Sequence, residues 1–122
     1  MLRFFKKNKL DSVTVDGIQF LGEQNGLPEL KFKARILNIL DESGVRQAHL
    51  ARLRYIGKEQ IVGLCLSGQP NDPQRLAERI ASEFRPLFKP DQSLDIVSLT
   101  PAQEAQIAQV CRPFCVRHVS TQ

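Results

Sequence analysis

Three cysteines and two histidines are the side chains in this sequence best suited to chemistry. Cys111, Cys115 and His118 fall in the spacing C-x3-C-x2-H, while Cys65 and His49 stand apart from them. A closed zinc site needs four ligands, usually delivered by two short knuckles. The second knuckle is missing here, so the expectation is incidental or buried thiols, with no metal and no cofactor. A cysteine nucleophile needs a neighbouring base and an accessible, electropositive pocket. Cys111 and Cys115 are the candidates, Cys115 with Arg112 and Arg117 near it, but no residue identifies itself as base or oxyanion donor. No catalytic residue is assigned.

Phosphate chemistry has even less support. The runs G-I-Q-F-L-G and G-E-Q-N-G match neither G-x-x-x-x-G-K-[ST] nor G-x-G-x-x-G. Ser67-Gly68 precedes a helix start, but Asp72 would repel an anion there. The most ordered charges are Arg46, Arg52 and Arg54, which strand alternation places on one face. An open face of that kind suits an acidic partner or phosphates. An RNA-binding sheet would also carry stacking aromatics on that face, and Tyr55 falls on the other one.

The elements that position these residues follow from hydrophobic period. Val45–Tyr55 and the almost wholly apolar Ile61–Leu66 read as two strands around a turn at Gly57–Gln60. Gly63 is expected to admit the close approach of a helix. Ser12–Leu21 is a bulged strand or a hairpin, with a turn signal at Asp16-Gly17. Pro28–Glu42 is predicted helical, with Leu30, Ala34, Leu37 and Leu40 as the apolar stripe and Gly44 as the stop. Asp72 and Pro73 open a second helix carrying Leu76, Ile80, Phe84, Leu87 and Phe88, broken by Pro86. Ser93–Ser98 is a strand. Thr100, Pro101 and Gln103 form a capping box for a third helix, with Ile107, Ala108 and Cys111 on its inner face. Phe114–Val119 is a terminal strand by alternation. The prediction is an α+β domain: an antiparallel sheet of about four to five strands, helices mainly on one face, in split β-α-β-like order.

At 122 residues one domain is expected, spanning 12–119, with a basic lead at 1–11 and a tail at 120–122. The net charge of +4 comes from the first ten residues, where Arg3, Lys6, Lys7 and Lys9 leave thirteen bases against thirteen acids from Asp11 onward. A neutral body argues against a large nucleic-acid footprint. Leu2, Phe4 and Phe5 beside those bases could touch an anionic membrane or a partner, although a solvated lead is the plainer reading. No secretion signal or membrane span is apparent, and three cysteines fit a cytoplasmic protein with free thiols.

The runs A-H-L-A-R-L-R-Y, I-V-G-L-C-L-S-G, F-R-P-L-F, L-D-I-V-S-L-T, Q-E-A-Q-I and P-F-C, with F-L-G-E-Q-N-G-L-P-E-L upstream, span Ile18 to Val116. Together they resemble the C-terminal domain of the bacterial enhanced serine sensitivity protein family. That resemblance implies no reaction and no catalytic residues. Longer members carry a further N-terminal domain, where this chain has its basic lead. The expected function is a non-catalytic protein-interaction or regulatory module using Arg46, Arg52 and Arg54. The alternatives are a thiol-dependent enzyme or a nucleic-acid binder, and a homo-oligomer is compatible with the composition.

Overall fold

The structure, a computed structural model, describes residues 17–116 and the backbone of Leu2–Phe4. The elements in order are β1 (Leu2–Phe4), β2 (Ile18–Glu23), α1 (Leu27–Ser43), β3 (Gln47–Tyr55), β4 (Gln60–Ser67), α2 (Pro73–Phe84), β5 (Leu94–Ser98), α3 (Pro101–Ala108) and β6 (Cys115–Val116). This is the expected α+β class: among the described residues, three helices and a mixed, mostly antiparallel sheet. Of the predicted lead, Leu2–Phe4 form β1, which pairs parallel with β5; the rest of the lead, Ser12–Asp16, Arg117, His118, Val119 and the predicted tail lie outside the described residues.

The strand order is β1-β5-β4-β3-β2, with β6 pairing β3 off that path. The β3–β4 hairpin is central and antiparallel, with Gln47 opposite Ser67 and Arg54 opposite Gln60. Gly57 turns it at φ 78°, a left-handed conformation that glycine adopts without a Cβ penalty. The return over α2 brings β5 alongside β4 in parallel, because a helical crossover carries the chain back to the strand's starting end. β2 and β6 both pair antiparallel with β3, at opposite ends of the same side.

Strand alternation divides the interior into two layers. Ala48, Leu50, Leu64, Leu66, Leu94 and Ile96 meet Phe32, Ile36 and Leu40 of α1 and Leu76, Ile80 and Phe84 of α2. On the other face, Ala51, Leu53, Cys65 and Val97 meet Ile107 of α3. Two helices therefore share one face, and the third covers the reverse. Phe32 joins the helices through an edge contact with Phe84 at 5.5 Å, and Phe84 stacks on Phe88 at 4.2 Å. Such ring pairs add about 1 kcal/mol each beyond their buried area.

The caps form as the sequence predicts. Asp72 accepts from the Arg75 amide at 3.2 Å, and α2 ends before Pro86. Thr100 and Gln103 complete a reciprocal box at 3.0 and 3.2 Å. Gly44 ends α1 at φ 89°.

Three local expectations are corrected. The buried face of α1 is Phe32, Ile36, Ile39 and Leu40, while Leu30, Ala34 and Leu37 are exposed. The bulkier set of Phe32, Ile36 and Ile39 removes more apolar area from water and wins the sheet. Gly63 accommodates the Leu53 side chain of the neighbouring strand, not a helix. On α3 the inner residues are Gln103 and Ile107, with Ala108 exposed. The irregularity of β2 lies between Phe20 and Gly22.

Candidate functional site

The three arginines do not form one row. Arg46 precedes β3, donates its amide to the Ser67 carbonyl at 2.8 Å, and sends its guanidinium to Glu104 of α3 at 3.4 Å. That pulls it towards the α3 side. Arg52 and Arg54 remain on the Ala48–Leu50 face of β3, but past the cover of α1 and α2. Arg52 is exposed and Arg54 half-buried.

Their orientation is set by β2. Gln19 lies opposite Arg54, and Gly22 opposite Arg52 across the bulge. The Arg54 guanidinium donates to Gln19 Oε1 at 2.6 Å. The Arg52 guanidinium lies over Gly22, where a Cβ would stand 3.0 Å from Nη2. A glycine at 22 therefore gives Arg52 its seat. The two guanidinium groups project from alternate residues of one strand, about 7 Å apart along the backbone. Neither is in an ion pair among the described residues. Guanidinium groups held at fixed positions suit carboxylates, which they meet in bidentate geometry.

The α3 side of the sheet holds a second polar group of residues. His49, Ser67 and Gln103 are buried there, and His49 Nδ1, Ser67 Oγ and Gln103 Nε2 have no hydrogen-bond partner among the described residues. Burial lowers the His49 pKa, and the Glu104 and Glu23 carboxylates oppose that shift. Near neutral pH the ring is therefore uncharged. Nearer the turn, the Tyr55 hydroxyl donates to Asp95 Oδ2 at 2.9 Å. None of these was marked for function by the sequence, because strand register and the docking of α3 are what place them.

The cysteines are separated by the sheet. Cys111 belongs to the α3-side layer with Cys65, and Cys115 to the layer under α1 and α2. The C-x3-C pair therefore does not form a knuckle, and among the described residues no group of His, Cys, Asp and Glu could hold a metal ion. Burial raises all three thiols. Cys111 is pushed up to about 11, with Glu23 adding to the effect and Lys33 opposing it. Cys65 is raised further, by burial first, and Cys115 by burial and then Asp41. The Cys111 thiol donates weakly to the Leu50 and Arg112 carbonyls at 3.7 and 3.6 Å. Donation holds the proton on sulfur and disfavours the thiolate.

The outer face of α1 is the other feature missed in the sequence. Leu27, Leu30 and Leu37 are 66, 63 and 40% exposed, and Ala34 lies between them. The signal was present as a second apolar stripe on one helix. Among the described residues no helix is long and apolar enough to cross a membrane. No protein-family model matches the chain, and no curated protein or solved structure matches it.

Proposed function

We propose that this domain is a non-catalytic protein-interaction or regulatory module, in which Arg52 and Arg54 receive acidic side chains of a protein partner. The observation that carries the reading is the seating of Arg52 over Gly22 beside an Arg54 held by Gln19. Two oriented guanidinium groups, without an ion pair among the described residues, lose little freedom on meeting carboxylates, so more of the interaction appears as affinity. Arg46 has a lesser part, since Glu104 already engages it. The raised, protonated thiols weigh against the thiol-enzyme alternative. Three unbridged cysteines suit a cytoplasmic setting. Kinship with the C-terminal domain of the enhanced serine sensitivity family is part of the same proposal and rests on the sequence runs quoted above.

The test is recovery of partners from the native cell with the wild-type chain and with Arg52→Glu plus Arg54→Glu. The expected result is a protein that binds the wild type, weakens with salt and is lost with the double variant. Equal recovery with both chains overturns the reading. RNA that binds from low to physiological salt and depends on these arginines replaces it with the nucleic-acid alternative.

A further inference from the structure

We infer that α1 is a dimerisation helix, pairing antiparallel with α1 of a second copy of this chain. The inference does not depend on Arg52 or Arg54.

A helix on a globular surface needs one apolar stripe, and α1 has two. Phe32, Ile36, Ile39 and Leu40 face the sheet. Leu27, Leu30, Ala34 and Leu37 recur at spacings of three and four on the opposite side, and all are exposed. The helix is 17 residues long, or about 25 Å, and the second stripe runs along most of it. None of the described residues buries it.

The occupant follows from the distribution of size and charge. Ala34 is the smallest side chain of the stripe and lies near its middle. A two-fold axis there lets the helix axes approach within the usual 8–10 Å. Leu30 of each copy then packs beside Leu37 of the other, and each contact occurs twice. The charges of α1 are ordered in the same sense. On its exposed surface Lys31 and Arg35, with the half-buried Lys33, lie in its first half and Asp41 and Glu42 in its second, while Glu29 of the first turn is buried and accepts from Gln24. Lys33 lies over Phe114, Arg35 faces Glu83, and Arg79 binds Glu42. Lys31 and Asp41 remain exposed, with no ion pair among the described residues. Antiparallel pairing carries Lys31 of one copy towards Asp41 of the other, on both sides of the axis. It also sets the two helix dipoles antiparallel, each N-terminal end beside the C-terminal end of the other helix. A parallel arrangement would set like charges together. The surface is therefore complementary to itself.

One helix stripe falls at the small end of specific interfaces, so the dimer is reversible, with a dissociation constant roughly micromolar or weaker.

The test is sedimentation of the full chain over a concentration series, with folding of each variant verified by circular dichroism. The wild type is expected to shift from monomer to dimer. Leu30→Glu should weaken the dimer roughly tenfold or more, since the residue is lost from both halves. Lys31→Glu and Asp41→Lys should each weaken it, and an equimolar mixture of the two should recover it. A chain that stays monomeric throughout the series overturns the inference. So does a dimer indifferent to Leu30→Glu, or one weakened by both charge variants and not recovered by mixing them.

Discussion

Tyr55 and Asp95 join two strands that do not touch: the hydroxyl at the end of β3 donates to the carboxylate on β5 at 2.9 Å, across the intervening β4. The acceptor is fully buried. Tyr55→Phe removes the donor and leaves the carboxylate with one bond fewer, at an expected cost of about 1–2 kcal/mol. Urea unfolding measures it. An unchanged midpoint would mean that the bond contributes nothing net.

His49 makes stability depend on pH. Its folded pKa lies below the ordinary value of about 6.5 because burial disfavours the charged ring. The unfolded chain therefore binds the proton more readily. The stabilising effect is complete above the unfolded pKa and is lost progressively as pH falls below about 6.5 towards the folded value. The unfolding midpoint should drop between about pH 7 and pH 5, and His49→Gln should flatten part of that slope. A parallel slope in the variant would assign the dependence to other groups.

The thiols should be slow to react in the folded chain. Cys65, Cys111 and Cys115 are buried and raised, so little thiolate exists at neutral pH. Iodoacetamide followed by mass spectrometry should label them slowly in buffer and rapidly in urea. Fast native labelling of Cys111 or Cys115 would restore the thiol-enzyme alternative.

The two stripes of α1 should respond oppositely to truncation. Phe32 is fully buried between the sheet and α2, and Phe32→Ala should cost about 3–5 kcal/mol. Leu30→Ala should change monomer stability by no more than about 0.5 kcal/mol. Unfolding at low concentration separates the two values, and a large loss at Leu30 would place that residue inside the fold.

That helix also marks the limit of what the sequence discloses. Its existence was legible from Pro28, Gly44 and the helical period. Its rotation was not, because two stripes satisfy the same period and only the volume of Phe32, Ile36 and Ile39 against the sheet decides between them. The starts of α2 and α3 were legible, since Asp72 and the Thr100–Gln103 box are local signals. The arginine row was legible only in part. Alternation groups Arg46 with Arg52 and Arg54, but it holds only within a strand, and β3 begins at Gln47. His49, Ser67 and Gln103 were illegible as a set, because they reach one side of the sheet only through hairpin register and the packing of α3.

The pairing of β3 with both β2 and β6 limits what can be trimmed from this chain. Residues 18–23 and 115–116 are far apart in sequence and complete the same side of one strand. The Phe114 amide binds the Ala48 carbonyl and the Gln24 amide binds the Leu50 carbonyl, so each segment closes a stretch the other leaves open. A fragment trimmed of either segment presents a bare strand margin to solvent, ready to recruit another chain. Neither Ile18–Glu23 nor Cys115–Val116 can be treated as a detachable tail, and a shortened chain meant to stay soluble should retain both.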